Sequence, residues 1–325
     1  MLPGSIGRKT CSLALGLEIF LVMRFKKQSP LVLALFVLVK SLMGGSPGPD
    51  TLSVVTTIFP LNEFSEFILA DKGKATLLIP PGADVHTWQP RVSDILRLSS
   101  ADLLIQVGAG LEPWIPELIK SAASPKLRTL AVADSLSLEK HWDEEEGETG
   151  LDPHIWLDFG LDMKIADLIA AELGRIDPSN STFFEARASD LKAKLHELDT
   201  AYFQGLSRCA TRTFVIAGHA AFGYLARRYA LEQLALSGLS PDAETLPSRL
   251  MAAIEGGKEF KIRAVFTEAN ASPRMAEVLA KELRLSVLVL HPAANLNKRE
   301  WESGRSFFDI MEENLRNLRR GLGCE

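Results

Sequence analysis

The 325-residue chain lacks an excess of positive charge: 36 Lys and Arg stand against 41 Asp and Glu, for a net charge of −5. That balance argues against nucleic acid as a partner. No apolar run approaches the roughly 20 residues a bilayer span needs; the unbroken run Leu31 to Val39 has only nine. Neither HExxH nor another compact zinc-enzyme motif occurs, so a metal hydrolase would lack its usual signature. Gly108-Ala109-Gly110 follows a strand-like run, but Pro113 stands where a dinucleotide fingerprint needs its third Gly, which argues against that cofactor. Low-complexity segments and short-period repeats are also absent. With 46% hydrophobic and 24% charged residues, the chain has the profile of an ordinary globular protein.

The N-terminus reads as an export signal over residues 24 to 46. Arg24, Lys26 and Lys27 give a positive start, Leu31 to Val39 an apolar stretch, and Gly44-Gly45-Ser46 a small-residue exit. Residues 1–48 are therefore assigned to a cleaved signal peptide, with an uncleaved anchor as the alternative, and Met23 is an alternative start. Cysteine is scarce. After Cys11 only Cys209 and Cys324 remain, and such a pair in an oxidising compartment invites a disulfide. Two unpaired thiols are the competing reading.

Eight strand-like runs divide four and four, separated by helical patterns. The first four are Leu52 to Phe59, Ala75 to Ile79, Ala101 to Val107 and Leu127 to Ala133; the second four are Thr213 to Ala217, Leu231 to Leu236, Ile262 to Thr267 and Leu285 to Leu290. Alternating strands and helices predict an α/β fold of two lobes, each a four-stranded, mostly parallel sheet flanked by helices. Between the two sets, Asp158 to Leu173 reads as one helix, and Asp177-Pro178 as a stop. Phe184, Ala188, Leu191, Leu195, Leu198, Tyr202 and Leu206 then hold helical spacing from Ser181 to about Ser207. The expected division is 51–178 for the first lobe, 179–208 for a connector helix and 209–325 for the second lobe.

Four of the six histidines, His86, His154, His219 and His291, lie 68, 65 and 72 residues apart, each at or near a strand-to-helix turn. His86 sits in the Pro- and Gly-shaped loop from Pro80 to Pro90, and His154 in Asp152-Pro153-His154 before a helix. His219 and His291 directly follow strands, and in open α/β sheets ligands bind outside the carboxyl ends of strands. The layout suggests one metal site built from four loops, two from each lobe. Four neutral imidazoles in a tetrahedron would make a closed site that carries metal, whereas a catalytic site keeps a position open. Imidazole donors suit zinc, copper, iron and nickel better than manganese. Glu268, Asp158 and Asp84 are candidates to hold the imidazoles' second nitrogens.

The stretches PGADVHTWQPRVSD, DPHIWLD and TFVIAGHAAFGYLARRYAL, followed by SPDAETLPSRL and AVFTEANASPRMAEVLAKEL, resemble the cluster A-I metal-binding proteins, and most closely their zinc-binding branch. Those are the periplasmic or lipid-anchored receptors of zinc and manganese ABC importers. The resemblance runs from about Leu52 to the C-terminal helix. It implies a monomeric periplasmic receptor that binds Zn2+, with Mn2+, Fe2+ or another divalent transition metal as alternatives, and hands the ion to an ABC permease in the inner membrane. It also implies a rigid connector helix and no catalytic residues. This chain departs from its relatives at one ligand position and at the residue next to the first histidine. His291 stands where they usually have Asp, and Val85 where some have an acidic residue. No Cys follows the apolar stretch until Cys209, which points to a free periplasmic protein rather than a lipoprotein. The stretch from His141 to Asp152 carries five acids between Asp143 and Glu148 and reads as a solvated loop. A secreted zinc-dependent hydrolase, and an adhesin or sensor on the same fold, are the alternative functions.

Overall fold

Eight apolar stretches form eight strands in two sheets of four, and every pairing within those sheets is parallel. The computed structural model describes residues 51–325 except 139, 144–146 and 241–246, and the side chains of 141–149 are also outside the description. The export segment expected over 24 to 46 lies outside the described residues. The first lobe contains β1 (Leu52–Thr56), α1 (Phe59–Leu69), β2 (Gly73–Leu77), α2 (Val92–Ser100), β3 (Leu103–Gln106), α3 (Ile115–Ala122) and β4 (Arg128–Ala131). A hairpin of β5 (Lys140–Asp143) and β6 (Gly147–Leu151) follows, then α4 (Phe159–Ile176) and α5 (Ser181–Gly205). The second lobe contains β7 (Thr213–Ile216), α6 (Gly223–Arg228), β8 (Glu232–Ala235), α7 (Pro247–Glu259), β9 (Ala264–Glu268), α8 (Arg274–Leu283), β10 (Ser286–Leu290), α9 (Lys298–Glu302) and α10 (Phe307–Leu322).

The sheets share one topology. Their orders are β2-β1-β3-β4 and, from the matching end, β8-β7-β9-β10. Central strands β7 and β9 are buried throughout, whereas edge strand β4 has no fully buried residue. This is why the central strands read as continuous apolar runs rather than alternating ones. In each sheet the chain leaves the first strand to one side and later returns to the other, which opens a crevice at the carboxyl ends of β7 and β9.

The antiparallel β5–β6 hairpin replaces the expected loop between His141 and Asp152. α4 begins at Asp158, whose carboxylate accepts from Gly160 N at 2.7 Å and Leu161 N at 3.1 Å. α5 runs 25 residues, about 37 Å at the usual helical rise. Its buried stripe is Phe184, Ala188, Leu191, Leu195, Leu198 and Tyr202. The apolar core runs without a break from the first sheet through α4 and α5 to one face of the second. Phe307 at the start of α10 joins them, its ring 5.2 Å from Phe64 and 6.3 Å from Phe159 between centroids. The other face of the second sheet has a smaller core around Val215, Val265 and Leu279.

Polar ties reinforce that junction. Phe307 N donates to Glu63 at 2.6 Å, and Arg228 of α6 spans to Asp158 at 2.9 Å and Asp199 at 2.6 Å. A disulfide joins Cys209 to Cys324, 115 residues apart. It closes the second lobe where the segment entering β7 lies beside the chain's end.

Candidate metal centre

His86, His154 and His219 come from three separate loops, and one ring nitrogen of each lies within 4.8 Å of the other two. The His86 loop owes its shape to local hydrogen bonds. Asp84 Oδ1 accepts from His86 N at 2.9 Å and Thr87 N at 3.2 Å, and Gly82 turns the chain with φ of 88°. The second lobe steadies the loop. Asn295 Nδ2 donates to Pro80 O at 2.8 Å and Ala83 O at 2.9 Å, and Gly82 N donates to Leu296 O at 2.7 Å. Trp88 packs edge-on against Trp114 with centroids 4.8 Å apart, so it fastens the loop to the core.

His154 is held by the residue two before it. Asp152 Oδ1 accepts from His154 N at 3.0 Å and lies 2.8 Å from His154 Nδ1. Trp156 packs against the imidazole with centroids 5.3 Å apart, and its Nε1 donates to Pro292 O across the cleft at 2.7 Å. His219 stands at the crevice between β7 and β9. There Glu268, the last residue of β9, accepts from His219 N at 2.8 Å and lies 2.8 Å from His219 Nδ1. Gly218 permits this approach, since a Cβ there would sit 2.0 Å from Glu268 Oε1.

These partners determine the tautomers. A carboxylate accepts only, so Nδ1 of both His154 and His219 carries the proton and each Nε2 presents a lone pair. The two Nε2 atoms face each other at 3.2 Å. Two lone pairs at that distance repel unless a cation sits between them. Donors at 2.0–2.1 Å in a tetrahedron around zinc are about 3.3 Å apart, so the spacing fits a shared ion. Burial lowers the His86 pKa to about 3, with the neighbouring His154 and His219 adding to the effect. The His154 pKa is also lowered, chiefly by burial and against the pull of Asp152. Both imidazoles are therefore neutral at physiological pH and available to a metal.

His291 does not join the group. It is buried at the end of β10, as expected, but its Nδ1 accepts from Ala293 N at 2.9 Å and its Nε2 lies 3.4 Å from Glu300 Oε2. With Pro292 next in the chain, the ring serves the turn rather than the cleft. Asp158 also differs from expectation: it caps α4 and pairs with Arg228, and the carboxylate on His154 is Asp152. Asp152 was present in the Asp-Pro-His motif, where a side chain two residues ahead of a backbone N–H is a recognised turn-former. Glu268 lies against the His219 imidazole. Asn295 carried no signal, because its partners are more than 200 residues away in the chain. His196 is exposed on α5, and the side chain of His141 lies outside the described residues.

Residues 54–321 match the family described as the zinc-uptake complex component A, periplasmic. The chain belongs to this family. It is 34% identical over 282 residues to the high-affinity zinc uptake system protein ZnuA of Bacillus subtilis, covering 84% of this chain and 88% of that one. It is 35% identical over 278 residues to the zinc-binding lipoprotein AdcA of Streptococcus pneumoniae, covering 83% of this chain and 55% of that protein. The chain thus spans about half the length of the AdcA relatives it matches. The Zn(II)-bound ZnuA-like domain of that AdcA superposes with a TM-score of 0.72 at 33% identity, covering 84% of this chain and 99% of the domain. The two parallel sheets and the long connecting helix agree with membership of this family.

Proposed function

We propose that this chain is an extracytoplasmic receptor that captures zinc in the cleft between its two lobes and delivers it to an ABC permease. His86, His154 and His219 hold the ion, while Asp152 and Glu268 orient two of the imidazoles. The 3.2 Å approach of two lone-pair-bearing Nε2 atoms carries this reading. An all-imidazole donor set favours zinc over manganese, which prefers oxygen ligands. Residues 51–178 and 209–325 act as the two lobes of a monomer, with the segment before Thr51 directing export. Among the described residues no helix is long and apolar enough to cross a membrane.

The test is equilibrium dialysis of the metal-free protein against zinc and manganese, together with zinc accumulation in cells. We expect one zinc per chain, lost in His154→Ala while the circular dichroism spectrum is retained. Cells deleted for the chain should accumulate less zinc, and the parent should restore it where His154→Ala does not. A parent protein that releases zinc to a weak chelator would overturn the proposal.

A further inference from the structure

We propose that the second lobe carries an anion-binding site at the end remote from the metal centre, one that takes a small molecule bearing two or more phosphate or carboxylate groups. Arg208, Arg263, Arg319 and Arg320 line one open concavity of about 600 Å³, within the roughly 300–1,000 Å³ usual for small-molecule sites. They come from three places in the chain. Arg208 precedes β7, Arg263 is the residue before β9, and Arg319 and Arg320 lie in the last turn of α10. Glu268, which holds His219, stands at the other end of β9, about 16 Å away along the strand.

The concavity has a fixed frame. The Cys209–Cys324 disulfide ties two of the three segments together, Ala210 N donates to Gly323 O at 3.2 Å, and Glu325 N donates to Arg208 O at 3.0 Å. Gly323 has φ of 64°, and a Cβ there would lie 2.7 Å from Arg263 Cδ and 2.8 Å from its Nε, so any side chain would push Arg263 off the turn. The protein does not neutralise this charge itself. Other arginines of the lobe find carboxylates, Arg305 at Glu300 and Arg316 at Glu312. Among the described residues none of the four is paired with an Asp or Glu side chain, and Glu325 is the one acid lining the concavity. Arg319 Nη2 donates to Glu325 O at 3.2 Å. A helix C-terminus carries about half a negative charge, which Arg319 and Arg320 already match. Even with two charges counted at Glu325, the four cations remain in excess. Each guanidinium presents a planar fork that fits two oxygens of a phosphate or carboxylate. Forks arriving from three chain segments around so large a space suit several oxyanion groups on one molecule better than a single ion.

Calorimetric titration of the metal-free full chain at low salt, with tripolyphosphate, tricarballylate and inorganic phosphate as probes, tests this. We expect one saturable site for tripolyphosphate or tricarballylate, the tighter of the two naming the oxyanion, and far weaker binding of inorganic phosphate. Arg263→Gln combined with Arg320→Gln should weaken binding at least about tenfold, as expected for losing hydrogen bonds to a charged group, while the circular dichroism spectrum is retained. Lys120→Gln combined with Lys298→Gln removes the same charge from elsewhere and should bind as the parent does. His154→Ala should also bind as the parent does, which separates this site from the metal centre. Absence of saturable binding for both multivalent anions would overturn the proposal, as would a double-arginine variant that binds like the parent. Equal weakening in the lysine variant would overturn it too, because it would show diffuse attraction rather than a site.

Discussion

Gly218→Ala tests whether Glu268 acts on the metal through His219. The added Cβ would lie 2.0 Å from Glu268 Oε1, 2.9 Å from its Cδ and 3.1 Å from its Cγ, so the carboxylate must withdraw. Gly218 is not among the residues with left-handed backbone, so alanine fits the main chain and the conflict is confined to the end of one flexible side chain. Withdrawal removes the acceptor from both His219 N and His219 Nδ1. Such hydrogen bonds to a charged group contribute about 1.5–3 kcal/mol each. The imidazole then loses its imposed tautomer and its orientation toward His154. Loss of a comparable outer partner weakens metal binding about 10–100-fold, or about 1.4–2.7 kcal/mol. Chelator competition at fixed pH measures this directly. Glu268→Gln, which keeps the shape but not the charge, should fall in the same range, and His219→Ala well beyond it. Zinc affinity of Gly218→Ala within about twofold of the parent would refute the reasoning and reduce Glu268 to a structural contact.

Three further outcomes are expected. His291→Ala should leave zinc affinity close to the parent's but lower thermal stability, because the buried Ala293 N–H loses its acceptor at a cost of about 1–3 kcal/mol; calorimetric titration and melting separate the two effects. Replacing both Cys209 and Cys324 with Ser should lower stability by about 4–5 kcal/mol in the chain-entropy model, read by denaturant unfolding, with zinc binding retained since the bridge is not among the metal-site residues. The metal-free protein should lose stability as pH falls below the ordinary histidine value of 6.5 toward about 3. Above 6.5 neither state binds the proton, but below it the unfolded chain takes a proton that folded His86 refuses, at up to about 1.4 kcal/mol per pH unit. Melting from pH 7 to 4.5 checks this, and His86→Gln should flatten the dependence.

The eight strands were legible because each is an apolar run bounded by turn residues, and the observed ends differ from the expected ones by only a few residues. β9 was expected as Ile262 to Thr267 and is Ala264–Glu268. The β5–β6 hairpin was not legible. The stretch of acids around Glu144 has neither alternation nor β-branched residues, and the pairing of backbones there leaves no mark in composition. At the candidate site, a position at a strand end predicts which residues reach the cleft edge but not where their rings turn. His219 and His291 both follow strands, yet the His219 ring, held by Glu268, faces His154, whereas the His291 ring is held by Ala293 N–H. Those two choices depend on partners 49 residues away in one case and two in the other, and only the backbone path makes them plain.

The continuous core bears on how an ion held as proposed would leave. Parting the lobes as rigid bodies would expose Phe64, Phe159 and Phe307 together and break the Arg228 contacts with Asp158 and Asp199. Lifting the His86 loop alone requires the hydrogen bonds from Gly82 and Asn295 to give way, at about 0.5–1.5 kcal/mol net apiece, and Val85 and Trp88 to leave the core, Trp88 from its contact with Trp114. On the zinc-receptor reading, moving residues 80 to 90 disrupts less of the core than parting the lobes. On that same reading, a permease contact at residues 80 to 90 would free the ion while the two halves stay joined.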